Sequence, residues 1–204
     1  VAGDVNHATV FAKAERYLRD IPSKKLPPKT MLTPVAAGAA TVKAEFPFPS
    51  EILDLAYSIP GDTQRGEPAI STLATLLENQ RSPFYQALVQ SNIALGIEAN
   101  ADTQLRGGLL HIFIILPPKT RTPTTSPLFQ STLESVLQSG FDPDLVLAAK
   151  NMTMAERLYS ADSIDGIGSL AGYTYGIVGE RISDEDKRLE ALTGSDLVAA
   201  ARTY

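Results

Sequence analysis

The chain has 204 residues, of which 44% are hydrophobic and 20% charged, the composition of an ordinary globular protein. Its net charge of −5 lacks the basic surplus of nucleic-acid-binding proteins, and the absence of cysteine excludes disulfides, thiolate zinc ligands and a cysteine nucleophile. The longest apolar run, Leu109 to Leu116 with His111 inside it, is far shorter than the roughly 18 residues of a membrane-spanning helix. Nucleic-acid binding and a membrane span are therefore not expected.

The first sixty residues predict three strands and one helix. Residues 1–5 have the composition of a short apolar strand, and Asn6 is a favourable N-cap for the helix that follows. Apolar side chains recur at helical spacing over residues 7–21, namely Val10, Ala14, Tyr17, Leu18 and Ile21. After a proline-rich, basic linker, residues 40–46 and 51–59 alternate between apolar and polar side chains. This alternation indicates two half-buried strands of an antiparallel sheet.

The middle of the chain predicts two helices followed by two strands. The helices run from about Glu67 to Asn79 and from Pro83 to Gln90. The strands are residues 94–101 and residues 108–117. Because the second strand is apolar on both faces, it is expected at the centre of the sheet.

The rest of the chain, from Ser126 onward, has a helical pattern. Its first apolar stripe is formed by Phe129, Leu133, Val136 and Leu137. Asp142-Pro143 is an N-cap followed by proline at the first helical position, which predicts a helix start. Ser183, with acidic residues behind it, predicts another start, and Thr193 with Asp196 three residues later predicts a capping box.

Strands that precede a run of helices are typical of an α+β protein. We therefore expect one domain over residues 1–204, with an antiparallel sheet of about five strands and helices packed on one face in two layers. The sequence shows no obvious internal repeat.

No motif in the chain predicts a catalytic centre. The two histidines, His7 and His111, lack a second histidine or a glutamate at the spacing by which one helix face grips zinc, so we expect structural or solvent-facing roles for both. The stretch around Ser169 lacks the Gly-x-Ser-x-Gly spacing of a nucleophile elbow. Glycines at every fourth position, Gly168, Gly172 and Gly176, predict close helix packing in a soluble protein. We predict no catalytic, cofactor-binding or metal-binding residue in this chain.

Several stretches in order resemble the second, non-zinc-binding domain of the pitrilysin/insulinase zinc metallopeptidases, which carry the inverted His-x-x-Glu-His motif and include bacterial zinc proteases. "VAGDVNHATVFAKAERYLRDIP" is similar to the strand–helix opening of that domain, and residues 53–101 to its central strand, helix, turn and next strand. "FDPDLVLAAKNMTMAERLYSADS" and "RLEALTGSDLVAAARTY" resemble its closing helices. Nearly the whole chain is covered.

The resemblance implies a fold like the domains of processing-peptidase-like metallohydrolases and a role in a larger chain. Two related α+β domains would form one half of a shell, and two halves would close around a peptide. Zinc would be bound upstream of Val1, outside this chain, where a zinc-bound water deprotonated by the glutamate of the motif attacks the peptide carbonyl. The implied partners are the upstream zinc-binding domain, a second homologous half and the peptide substrate.

The chain departs from the family at two positions. In the family, an arginine and a tyrosine seven residues later contact the substrate near the metal of the opposite half. The resemblance places Val89 and Gly96 at those positions, and the nearest polar groups are Gln90 and Ser91. Because an oxyanion needs preorganised donors, worth roughly 3 kcal/mol each when removed, this domain is expected to be non-catalytic.

Three interpretations remain open from the sequence. The chain is part of a zinc peptidase that hydrolyses peptides and forms part of a closed peptide-binding chamber, or it is a catalytically inactive partner or scaffold subunit of the same family. An unrelated α+β ligand-binding domain is the third. The residues upstream of Val1 would separate the first two, and the compartment, bacterial periplasm or cytoplasm, is left open.

Overall fold

A computed structural model describes residues 1–25, 27, 40–45, 47, 49–61, 67–104, 107–118 and 122–204. The strands are β1 (Ile52–Ile59), β2 (Gly96–Gln104) and β3 (Gly107–Ile115). The helices are α1 (His7–Leu18), α2 (Glu67–Glu78), α3 (Pro83–Tyr85), α4 (Thr122–Ser139), α5 (Pro143–Ser160), α6 (Ile164–Tyr173), α7 (Ile182–Ala191) and α8 (Gly194–Thr203). Two π-helical turns, Gln86–Gln90 and Thr174–Val178, continue α3 and α6.

The sheet is antiparallel with strand order β1-β3-β2, so the prediction that the strand after residue 107 is central is confirmed. The prediction of about five strands is wrong, because the described residues form three. Neither residues 1–5 nor residues 40–45 are in a strand, and Phe46 lies outside the described residues. Alternation of apolar and polar residues indicates a segment that could be half-buried, but a strand also needs a neighbouring strand to pair with. Val42, in the middle of residues 40–45, is 86% exposed.

The N-terminal segment contacts a helix instead of the sheet. Gly3 has a φ of 121°, a conformation outside the strand region, and its missing Cβ would lie 3.7 Å from Ile164 Cγ2. Ala2 Cβ lies 3.2 Å from where a Cβ of Gly168 would be. Gly172 and Gly176 have no described atom within 4 Å of their Cβ positions, so the close packing predicted from the glycine spacing occurs at one of its three positions.

Helices cover one face of the sheet, as predicted for an α+β fold. The inward side chains of the strands, among them Ile59, Ile97 and Ile114, join one core with α2 and with the helices that follow β3. Buried side chains lie all around α2 because it contacts the sheet, α5 and α8. Phe84 and Phe129, with ring centroids 5.0 Å apart, connect α3 to α4.

Three of the four predicted helix caps are confirmed. Asn6, Asp142 and Thr193 accept hydrogen bonds from the first turns of α1, α5 and α8, and Thr193 forms the predicted capping box with Asp196. The start predicted at Ser183 is wrong, since α7 begins at Ile182 and no side chain caps it. Its acidic first turn still matches the positive end of the helix dipole.

Helix α1 has no buried residue, although its apolar spacing is that of an amphipathic helix. Phe11 is 72% exposed, and Tyr17 and Leu18 are also exposed. Within the part of the chain that the structure describes, no helix combines the length and apolar character needed to cross a membrane.

Candidate functional site

The sheet has a second face that the described helices leave uncovered, here called the open face. Along β1 the outward side chains alternate with the inward ones, and the same alternation continues on β2. The open face consists of Ile52, Asp54, Ala56 and Ser58 on β1, of Leu109, His111, Phe113 and Ile115 on β3, and of Gly96, Glu98, Asn100, Asp102 and Gln104 on β2. Its central strand is therefore apolar apart from His111, and its outer strands are mainly polar.

The strand register arranges these side chains in rows across the sheet. Phe113 lies between Asp54 and Glu98. His111 lies between Ala56 and Asn100, and Leu109 between Ser58 and Asp102. Three carboxylates thus flank an apolar centre, and His111 is the one basic residue on the open face of these three strands.

His111 is held in place by a diagonal partner on β1. Its Nδ1 lies 3.0 Å from Asp54 Oδ2 and 3.2 Å from Oδ1, and its ring stacks on Phe113 at 5.5 Å with an interplanar angle of 3°. An ionised carboxylate only accepts hydrogen bonds, so Nδ1 carries the proton and donates to Asp54. In the neutral imidazole, Nε2 is then an acceptor.

The two positions that the family resemblance singled out lie in the π-helical turn before β2 and at the first residue of β2. Val89 is half-buried against the core, whereas Gly96 lies at a corner of the open face. A Cβ at Gly96 would meet Ile115 Cδ1 at 3.8 Å, an ordinary contact, so a side chain would fit there. Ser91 Oγ donates to the backbone of its own turn, and Gln90 Nε2 donates to Gln80 O. No guanidinium or phenol occupies either position.

The outer edge of β2 is partly closed by a side chain from α2. The Ala99 N–H points away from β3 and donates to Glu78 Oε1. Burial raises the pKa of the Glu78 carboxyl, the hydrogen bond from Ala99 opposes this rise, and the negative charges of Glu98 and Glu156 add to it. Glu78 therefore blocks one donor of an edge strand at an electrostatic cost.

A separate cleft of about 280 Å³ lies between α2, α5 and α7, lined among others by Ser71, Thr153 and Arg157. Arg157 donates to Glu185 from Nη1 and to Asp186 from Nε, the latter at 3.2 Å. Burial opposes the guanidinium charge, but the hydrogen bonds and charges of these two carboxylates keep its pKa above the usual value. The cluster joins α5 to α7 and its charges are paired, so we assign it a structural role.

The described residues do not fit a zinc ion. No group of three or more histidine, aspartate and glutamate side chains among them is arranged to hold a metal. His7 is exposed in the first turn of α1, and the Nδ1 of His111 is bonded to Asp54.

Sequence reasoning identified His111 as a strand residue but missed its partner. Asp54 and His111 are 57 positions apart, and their contact depends on the register between β1 and β3. Alternation along each strand indicated two faces, but register is a property of the pair of strands.

Comparisons with known proteins identify the fold and the family. A family model described as the peptidase M16 inactive domain matches residues 1–153. Among solved structures, a protease from Helicobacter pylori has a TM-score of 0.85 at 20% identity, covering 100% of this chain and 50% of its own. A peptidase M16 inactive domain from Pseudomonas fluorescens has a TM-score of 0.76 at 18% identity, covering 99% of this chain and 48% of its own.

A third structure, the inactive peptidase domain of a putative zinc protease from Bordetella parapertussis, has a TM-score of 0.67 at 20% identity, covering 75% of this chain and 85% of its own. At such identities the structures show the fold alone. The chain spans about half the length of the Helicobacter protease. A comparison with curated protein sequences found no match. The family match confirms the resemblance to the non-zinc-binding domain of these peptidases. Because that match spans 153 of the 204 residues, the chain belongs to the peptidase M16 inactive-domain family.

Proposed function

We propose that this chain is the non-catalytic domain of a zinc peptidase, and that its open face forms part of the wall of the chamber that holds the peptide. The observation that carries the proposal is the one-sided sheet: helices cover one face, and the other presents an apolar centre between polar strands. Membership of a family of inactive peptidase domains supports it.

The same face supports a binding role rather than a chemical one. Val89 and Gly96 offer no side-chain donor to a developing oxyanion, and the His111 imidazole is bonded to Asp54. In this proposal the zinc ligands and the reacting groups belong to other domains, one of them upstream of Val1. The name of the Bordetella relative, which mentions a zinc protease, supports that assignment.

The outer edge of β1 offers a second means of holding a peptide. Leu116 N donates to Glu51 O, so hydrogen bonding between β1 and β3 uses the backbone of odd-numbered β1 residues. The backbone groups of Ile52, Asp54, Ala56 and Ser58 then point to the outer edge, where no described strand pairs with them. An extended peptide could add there as a further strand, with alternate side chains on the open face.

The test uses the full-length protein that carries this chain. A photo-reactive benzoylphenylalanine replaces Asn100, which is exposed on the open face, or Glu134, which is exposed on α4 and serves as the matched control. We expect a labelled substrate peptide to crosslink at position 100, to be displaced by unlabelled peptide, and to leave position 134 unlabelled. Equal labelling at the two positions would contradict the proposed wall.

The metal content of this chain by itself gives an independent check. We expect no stoichiometric zinc and no peptide hydrolysis from the chain alone, since its ligands would lie elsewhere. Stoichiometric zinc would refute the assignment of the two histidines. A full-length protein that hydrolyses no peptide but forms a stable complex with a homologous chain would favour the scaffold interpretation instead.

A further inference from the structure

We infer that the open face selects extended peptides in which a lysine or arginine lies two residues from an apolar side chain, so that both are on the same face of the peptide. The inference rests on the proposed function and specifies the substrate class for the same face. It is drawn from the excess of acidic side chains on the open face of the three strands. Asp54, Glu98 and Asp102 are acidic there, and His111 is the single basic residue.

The carboxylates surround an apolar strip at distances that suit an extended peptide. Asp54 and Glu98 lie on either side of Phe113, two strand spacings or about 10 Å apart. Asp102 is four residues beyond Glu98 on the same face, roughly 13 Å along β2, beside Leu109. Side chains on one face of an extended peptide repeat every 6 to 7 Å or so, hence an apolar side chain over Phe113 places its neighbours within reach of the carboxylates.

Hydrogen bonding on the face also favours a donor-rich partner. Nδ1 of His111 is already bonded to Asp54, so this donor is not available to a peptide. Asp54, Glu98 and Asp102 are acceptors. Lysine and arginine side chains carry donors and no acceptor, so they complement this surface in hydrogen bonding as well as in charge.

The negative field continues past the edge of β2. Glu78 of α2 lies at Ala99, and the charges of Glu98 and Glu156 add to the rise of its pKa, which burial mainly causes. A glutamate or aspartate side chain of a peptide would meet the same repulsion. The face therefore disfavours acidic peptides as well as favouring basic ones.

The test measures the affinity of the full-length protein for two peptides of equal length and equal apolar pattern, which carry either lysines or glutamines two residues away from the apolar side chains. We expect tighter binding of the lysine peptide, by a ratio that falls as salt rises from 50 to 300 mM, because exposed charges are screened. The variant pair Glu98→Gln and Asp102→Asn removes two charges from the open face at nearly constant shape. Glu134→Gln, exposed on α4, is the matched control.

Removing an exposed ion pair typically costs about 1.4- to 5-fold in affinity. The double variant should thus lose roughly 2- to 25-fold for the lysine peptide and stay unchanged for the glutamine peptide, while Glu134→Gln alters neither. Equal affinity of the wild type for both peptides, or a salt-independent preference, would overturn the proposed selectivity. It would not contradict the proposal that the open face forms part of the chamber wall. Failure to bind either peptide would overturn both proposals. The salt series needs no variant, so the test stands even if a substitution disturbs folding.

Discussion

Replacing Gly108 by alanine should disrupt the β2–β3 hairpin that carries two of the three carboxylates of the open face. Gly108 is paired with Thr103, and the outward Ala99 N–H identifies this pair as one without direct hydrogen bonds, in which Cα atoms approach to about 4.5 Å. A Cβ there would overlap the Asp102 carbonyl oxygen and lie 2.9 Å from Thr103 Cα, inside the 3.4 Å at which ordinary contact begins. The strands would have to separate by at least about 0.5 Å.

The expected loss is about 3 kcal/mol. Overpacking of this kind costs about 1 to 3 kcal/mol, and weakening the two flanking hydrogen-bonded pairs, Asp102 with Leu109 and Gln104 with Gly107, costs about 0.5 to 1.5 kcal/mol for each bond lost. Alanine lowers the conformational entropy of the unfolded chain relative to glycine, which offsets about 0.4 to 1 kcal/mol of this loss. For a chain of this length the melting temperature should fall by roughly 6 to 12 °C.

Gly96→Ala is the matched control, because its added Cβ meets only Ile115 Cδ1 at 3.8 Å. Thermal unfolding followed by circular dichroism should show this variant at or slightly above the wild-type melting temperature. A Gly108→Ala protein that melts within about 1 °C of wild type would refute the close approach of the two strands.

Two further substitutions test other contacts. Glu78→Gln keeps an acceptor for the Ala99 N–H but removes the charge. Because folding raises the pKa of Glu78 above 4.5, the wild type should lose stability as the pH rises from 4.5 through the folded pKa. The variant has no titrating group at this position and should not show that loss. Urea titrations at a series of pH values measure it, and parallel curves for the two proteins would contradict it. Ser82→Ala should cost about 2 kcal/mol, because the buried Ser82 hydroxyl accepts from Tyr85 N and donates to Leu77 O. The exposed control, Ser131→Ala, should change stability by less than about 0.5 kcal/mol, and equal losses would contradict the role of burial.

Features fixed by a few neighbouring residues could be predicted from the sequence. The caps at Asn6, Asp142 and Thr193 depend on side chains that bond two or three positions along the chain. The central position of β3 followed from apolar side chains on both its faces. In each case the information lies within about ten residues.

Features that depend on distant partners could not be predicted. The segments 1–5 and 40–45 have strand-like composition, but a strand needs a neighbour to pair with, and the described sheet provides none for them. The contact between Asp54 and His111 depends on register across 57 residues. The exposure of α1 likewise depends on what packs beside it, which its own periodicity does not specify.

The π-helical turn at Gln86–Gln90 precedes β2, whose side chains alternate between the core and the open face. It closes with Ile93 N and Ala94 N both donating to Leu88 O, and it holds one residue more than an α-helical turn of the same span. The extra residue is therefore taken up inside the turn and does not shift β2. Loss of one residue here would convert the turn to an α-helical one and leave Ile97 facing the core and Glu98 on the open face, whereas a loss within β2 itself would exchange the two faces.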